Sequence, residues 1–150
     1  MIKFYEVVEH PTDADVGRFI RESNAIEGIY AKPGEPLYDQ HLAAYQQMCL
    51  GEVAMRRSGI QLWHSILLKG ILPSAGNWRR VNVRVGTYVA PTWKLARRLM
   101  LLERFDAYKT ESQCWEMHHF FEAVHPFEDG NGRIGRLLLA WGYQMGGHGL

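Results

Sequence analysis

The sequence predicts a mainly α-helical bundle carrying one small β-hairpin, and three observations lead there. Apolar residues recur at helical spacing over most of the chain, most clearly at Cys114, Met117, Phe121 and Val124, and again at Ile134, Leu137, Leu138, Trp141 and Met145. One interval, residues 73–91, breaks this rhythm: Val81, Val83 and Val85 alternate with Asn82, Arg84 and Gly86, as in a half-exposed strand. A length of 150 residues with 47% hydrophobic content is enough to bury one core, so residues 1–150 read as a single domain.

Taken in order, residues 2–8 (Ile-Lys-Phe-Tyr-Glu-Val-Val) are β-prone and predict a short extended segment. Thr12, Asp13 and Asp15 then offer an N-cap and acidic first-turn residues to a helix bearing Val16, Phe19, Ile20 and Ile26, which ends near Glu27-Gly28. Residues 32–36, Lys-Pro-Gly-Glu-Pro, form a turn. The next helix is expected from Leu37 to about Arg57, with Leu42, Tyr45, Met48 and Cys49 on one side, Gly51 bending or splitting it and Gly59 punctuating its end. Ile60–Lys69 reads as a shorter apolar helix carrying Leu62, Trp63, Ile66 and Leu67, closed by Gly70. Beyond the hairpin, Thr92 caps a helix expected to run to about Tyr108, with Leu95, Leu99, Leu102 and Phe105 at helical spacing. Glu111–Val124 follows. The last helix begins near Gly132 and is apolar on nearly every side, as a helix central to a bundle must be.

Composition excludes several function classes. A formal charge of +1, with basic residues scattered along the chain, gives no electrostatic case for nucleic acid or an anionic membrane surface. The N-terminus lacks a signal-peptide apolar region and no uninterrupted apolar run approaches a membrane span, so the cytoplasm is the default compartment. Cys114 lies on an apolar helical face, where a free buried thiol is commoner than a disulfide with Cys49. His118 and His119 are adjacent and face different sides of a helix, which argues against zinc. His64 reads as a packed or surface imidazole rather than a ligand.

The chemistry concentrates in His125-Pro-Phe-Glu-Asp-Gly-Asn-Gly-Arg-Ile-Gly-Arg136, a loop between the last two helices. Gly130 and Gly132 leave backbone N–H groups bare where the final helix begins, and a helix N-terminus with bare amides binds anions. Arg133 and Arg136 in its first turns are a poor structural choice against the positive end of the helix dipole, and an anionic ligand accounts for them. Asp129, a hard oxygen donor beside such a cradle, suits Mg2+, which completes its shell with phosphate and water. His125 can take a proton from an attacking hydroxyl near neutral pH. The Asn131 amide can donate to an oxygen that gains charge in the transition state.

This stretch resembles the signature of the Fic family, H-x-F-x-[D/E]-G-N-G-R-x-x-R, at every specified position. The resemblance covers roughly residues 12–145 and implies a Fic-type helical bundle with a β-hairpin flap beside the active site. It also implies transfer of AMP from ATP, with Mg2+, to a Tyr, Ser or Thr hydroxyl of a target protein, self-modification included. His125 would be the base, Phe127 a buried anchor and Asp129 the metal ligand. Gly130, Asn131 and Gly132 would line the anion hole, and Arg133 and Arg136 would hold the outer phosphates.

Upstream, Ser23-Asn-Ala-Ile-Glu-Gly28, within a helix placed at 12–30, resembles the family's inhibitory motif [S/T]-x-x-x-E-[G/N]. Carried over, Ser23 would fix the helix and Glu27 would meet Arg136 and obstruct the γ-phosphate. The cluster Gly76-x-Trp78-Arg79 and the hairpin after it, placed at 79–91, resemble the flap over which a target segment docks by strand addition, with Val83, Arg84, Val85 and Gly86 as docking residues. Family domains commonly continue into at least one further helix, so this chain is expected to be either a minimal version of the domain or a truncated piece whose exposed face needs a partner or a second subunit. Two other readings stay open: another phosphate-transfer activity on the same scaffold, such as AMP removal or kinase-like action, and a nucleotide-binding regulatory module without turnover.

Overall fold

The structure, a computed structural model, describes residues 10–50 and 57–147. The β-prone segment 2–8 lies outside them. Helix α1 spans Asp13–Ile26 and opens on a capping box: the Thr12 hydroxyl accepts from the Asp15 N–H at 3.2 Å, while the Thr12 N–H donates to Asp15 Oδ2 at 2.9 Å. Helix α2, Pro36–Cys49, starts with proline in its first turn, where the missing N–H costs no intrahelical bond. It stops eight residues short of the Arg57 expected from periodicity, with Leu50 as its C-cap; residues 51–56 are outside the described set. Arg57 instead belongs to α3, described over Arg57–Leu67, and Gly59, expected to punctuate a helix end, is a buried residue within it.

The hairpin is shorter than the valine alternation suggests. Strands β1 (Arg84–Val85) and β2 (Tyr88–Val89) pair antiparallel, with Arg84 opposite Val89 and Val85 opposite Tyr88. Gly86, at φ 57°, makes the two-residue turn. Val81 and Asn82 do not extend the ladder because both have other partners: the Val81 carbonyl accepts from Arg79 Nη1 at 2.8 Å, and Asn82 Oδ1 accepts from the Trp93 N–H at 3.0 Å. That last bond ties the hairpin to α4, Trp93–Leu102, which is also capped by Thr92. Helix α4 ends six residues before the expected Tyr108, and a short 3-10 turn, Phe105–Ala107, follows. Its buried face consists of Ala96 and Met100, while Leu95 and Leu102 point to solvent.

Helices α5 (Glu111–Val124) and α6 (Asn131–Met145) close the fold. Helix α6 packs against α5, α1, α2 and α3, which is why it is apolar around most of its circumference. Two glycines let α5 approach it closely. A Cβ on Gly142 would lie 2.8 Å from Cys114 Sγ, and one on Gly135 would lie 2.1 Å from Glu122 Oε1. Both cysteines are free thiols, Cys114 buried and Cys49 exposed. No described helix is long and apolar enough to cross a membrane.

Candidate active site

Helix α5 delivers His125 as its C-cap. The residue sits in the left-handed region, φ 50° and ψ 63°, and is the only described non-glycine residue with positive φ. Its N–H still bonds the Phe121 carbonyl at 2.9 Å, so the chain turns sharply while the last helical turn stays closed. Nδ1 faces the Glu122 carbonyl at 3.4 Å, and since a carbonyl only accepts, the proton sits on Nδ1 and Nε2 keeps its lone pair. Burial holds the His125 pKa below its ordinary value; the Glu122 carbonyl opposes that shift and the Arg79 charge reinforces it. The imidazole is therefore neutral at pH 7 and free to accept a proton.

The loop after His125 is fixed from three sides. Phe127 is fully buried, its ring stacked on His64 with centroids 3.7 Å apart and leaning on Trp78 at 4.8 Å. His64, also fully buried, accepts the Gly76 N–H on Nδ1 at 2.8 Å, so Nε2 carries the proton and donates to the Asp129 carbonyl at 2.9 Å. Burial pushes its pKa down to about 4. The buried Arg79 guanidinium reaches four carbonyls: His125 at 2.7 Å, Val81 at 2.8 Å, Pro91 at 2.5 Å and Val124 at 3.3 Å. It thereby fastens both ends of the hairpin to the segment that carries the base. Sequence reasoning gave neither His64 nor Arg79 this part, because every partner they hold in the loop is distant in the chain.

Asn131 departs from its expected use. Its Nδ2 donates to the Phe127 carbonyl and its Oδ1 accepts the Phe127 N–H, both at 2.9 Å, and the residue is buried. The side-chain amide staples the loop to the start of α6 and does not face the cradle, so an oxyanion there is left to backbone N–H groups. Gly130, at φ 76°, is the N-cap of α6 and supplies no side-chain cap. The first intrahelical bond belongs to Ile134, leaving the N–H groups of Asn131, Gly132 and Arg133 without helical acceptors. Arg133 is 3% exposed, and its Nε and Nη1 have no acceptor among the described residues. A buried guanidinium with idle donors at a helix N-terminus is a site for an anion.

Arg136 is occupied. Nη2 bonds Glu27 Oε1 at 2.7 Å and the Ser23 carbonyl at 2.8 Å, and Nε bonds the Ser23 hydroxyl at 2.8 Å. The guanidinium thus caps the negative end of α1 and neutralises a carboxylate that would be unfavourable there alone. Glu27 also lies over Gly132: a Cβ on Gly132 would stand 2.2 Å from Glu27 Oε1. A carboxylate rests where an anion would rest. Asn24, between Ser23 and Glu27, secures this helix by accepting from buried His41 Nδ1 at 2.8 Å.

Asp129 is exposed beside the cradle, with Oδ1 accepting the Gly130 N–H at 2.6 Å. The described residues hold no group of three or more His, Cys, Asp or Glu suited to enclosing a metal. One exposed carboxylate next to the unfilled donors of Arg133 and the head of α6 fits Mg2+, which takes most of its shell from phosphate and water, and does not fit a metal caged by protein. On the hairpin, Arg84, Val85 and Gly86 are exposed and Val83 is half-buried, its carbonyl accepting the Ala90 N–H at 3.3 Å. The Tyr88 hydroxyl donates to the Ala123 carbonyl at 2.7 Å, so the hairpin lies along the end of α5 next to His125.

The family model described as Fic/DOC family matches residues 54–142. A Fido domain-containing protein of Dictyostelium discoideum is 34% identical over 80 residues, covering 47% of this chain and 55% of that protein. Among solved structures, Fic-1 from C. elegans superposes with a TM-score of 0.72 at 20% identity, over 93% of this chain and 54% of that one. A Fic family protein from Desulfovibrio desulfuricans gives 0.62 at 24% identity, over 86% and 46%. A Fic domain-containing signaling protein from Bacteroides thetaiotaomicron gives 0.65 at 17%, over 92% and 69%. These structural likenesses establish the fold. The chain spans about half the length of the first relatives it matches.

Proposed function

The chain belongs to the Fic/DOC family, and we propose that it is a protein adenylyltransferase held in check by its own Glu27. Members of the family commonly transfer AMP or another nucleoside monophosphate to proteins. The observation that carries the reading here is the arginine pair at the start of α6: Arg133 buried with idle donors, and Arg136 engaged by Glu27 over Gly132. Two guanidiniums and three bare N–H groups match the triphosphate of ATP, and the carboxylate in their midst matches an occupant that ATP must displace.

In the reaction, the oxygen of a target Tyr, Ser or Thr hydroxyl forms a bond to the α-phosphorus as the bond from that phosphorus to the bridging oxygen breaks, releasing pyrophosphate. The hydroxyl proton passes to His125 Nε2, whose lone pair is kept free by the Nδ1 contact to Glu122. Backbone N–H groups at the head of α6 hold the phosphate oxygens, and Arg133 and Arg136 align the outer phosphates. Asp129 would hold Mg2+, which when bound neutralises phosphate charge and orients the phosphate oxygens. The hairpin presents the target segment beside His125, and this chain's own hydroxyls are eligible targets.

The test is His125→Ala. It leaves nucleotide binding near the wild-type level and lowers AMP transfer about 10^2-fold to 10^4-fold, the usual contribution of a general base. Equal loss of binding and transfer would remove His125 from the base role.

A further inference from the structure

The near-zero net charge conceals a segregation that bears on what the hairpin receives. Between Glu52 and Glu103 the chain contains no aspartate or glutamate, although the whole sequence has 16 acidic residues. The five basic side chains between residues 80 and 98, Arg80, Arg84, Lys94, Arg97 and Arg98, are exposed, and none forms an ion pair among the described residues. They lie on the hairpin and on α4, which are joined through Pro91-Thr92 and by the bond from the Trp93 N–H to Asn82 Oδ1.

Apolar side chains are interleaved with these cations. Val85, Tyr88 and Val89 are exposed on the hairpin, and Leu95, Leu101 and Leu102 on α4, with Val89 at 62% and Leu102 at 78%. Helix α4 spends Ala96 and Met100 on the core, so Leu95, Arg98 and Leu102, at three- and four-residue spacing, form a second, solvent-facing stripe. The two-stranded sheet also leaves an open edge on each strand. Such an edge alternates donors and acceptors. A peptide main chain answers both, whereas phosphates of a nucleic acid or a lipid headgroup offer acceptors only.

We propose that this surface selects its protein partner by charge: the segment docking on the hairpin and α4 is an extended peptide that alternates acidic and apolar side chains around the hydroxyl to be modified. In a strand, alternation puts the carboxylates on one face and the apolar groups on the other. The main chain pairs with the hairpin edge, the carboxylates lie on the face that Arg84 shares with Val89 and meet Arg84, Arg97 and Arg98, and the apolar groups lie on the other face with Val85 and Tyr88. This rests on the transferase reading for its link to AMP transfer, while docking itself needs no catalysis.

The experiment uses the full chain and fluorescein-labelled synthetic peptides carrying a central Tyr flanked by alternating Glu and Val, with Lys or Ser replacing Glu in the controls. Binding is read by anisotropy without nucleotide, beside labelled oligo-dT and phosphatidylserine vesicles. The Glu peptide should bind about tenfold or more tightly than either control, weakening as salt is raised, since several rim charge pairs act together. Arg84→Glu/Arg97→Glu/Arg98→Glu, all at exposed positions, should transfer the preference to the Lys peptide, and AMP labelling by Glu27→Gly should follow the same order. Equal binding of the three peptides overturns the inference. So does charge-dependent binding of oligo-dT or vesicles without discrimination among peptides. If the Glu peptide binds selectively but no variant labels any peptide or protein, the transferase reading falls and the docking inference stands.

Discussion

Replacing Glu27 by glycine probes how tightly the cradle is guarded. Arg136 holds three bonds to α1, of which the one to Glu27 Oε1, at 2.7 Å, is the only one between full charges. The Glu27 side chain is 37% exposed and that of Arg136 19%, so solvent screens the pair in part. A charge-assisted bond in that setting contributes about 2 kcal/mol, above an exposed pair and below a buried one. If ATP aligns productively only when the pair is open, that gap suppresses the competent state about thirtyfold. Glu27→Gly should therefore raise the initial rate of AMP incorporation about 10-fold to 100-fold at saturating Mg2+ and ATP. Glu27→Gln keeps an acceptor but loses the charge and should fall between the two. Adding Arg136→Ala to Glu27→Gly should cancel most of the gain, because the released guanidinium is what aligns the outer phosphates. ATP affinity should move less than rate, since Arg133 and the α6 amides still hold a misaligned nucleotide. Equal rates for wild type and Glu27→Gly, or a gain that survives Arg136→Ala, would refute this reasoning and reduce Glu27 to the polar end of a helix.

Asp129→Ala should leave a much lower activity that barely responds to Mg2+, because a metal held by one carboxylate loses its fixed position; an unchanged Mg2+ titration would place the metal elsewhere. His64 supplies a pH signature. Its folded pKa, about 4, lies below the ordinary 6.5 because burial penalises the charged ring, so the unfolded chain binds the extra proton in that window. Its contribution is full above about pH 6.5 and drains away as pH falls towards 4, a loss of about 3 kcal/mol. Denaturant midpoints across this window should fall less steeply in His64→Gln than in wild type, and parallel slopes would count against the buried relay.

The elements that sequence placed most accurately are those whose local signals agree. Helix α5 has an undisturbed run from Cys114 to Val124 and a Thr110–Gln113 capping box, so its start and end are both written locally. Helix α1 has the same advantage at Thr12 and Asp15. The α4 region misled because its leucines lie on both sides: Leu95, Leu99, Leu102 and Phe105 suggest one phase, while Ala96 and Met100 occupy the core. A small buried alanine gives no periodic signal. Within the site, the twelve-residue signature brought His125, Asp129, Gly132, Arg133 and Arg136 into view because consecutive residues build the loop. The upstream motif brought Ser23 and Glu27 to Arg136 across more than a hundred residues. Asn131 was misassigned because an amide between glycines looks free, whereas its partner is the Phe127 backbone four residues earlier. His64 and Arg79 were illegible for the converse reason: a lone histidine and a lone arginine carry no sign of carbonyls 65 and 46 residues away.

The central claim is the identity of the group transferred, and one paired measurement reads it. Glu27→Gly is incubated with Mg2+ and a lysate of its host, once with ATP labelled at the α-phosphate and once at the γ-phosphate, and the proteins are separated. AMP transfer predicts labelled protein bands from the α-label alone, with the γ-label recovered as pyrophosphate. Protein labelling from the γ-phosphate, or from neither, would contradict it.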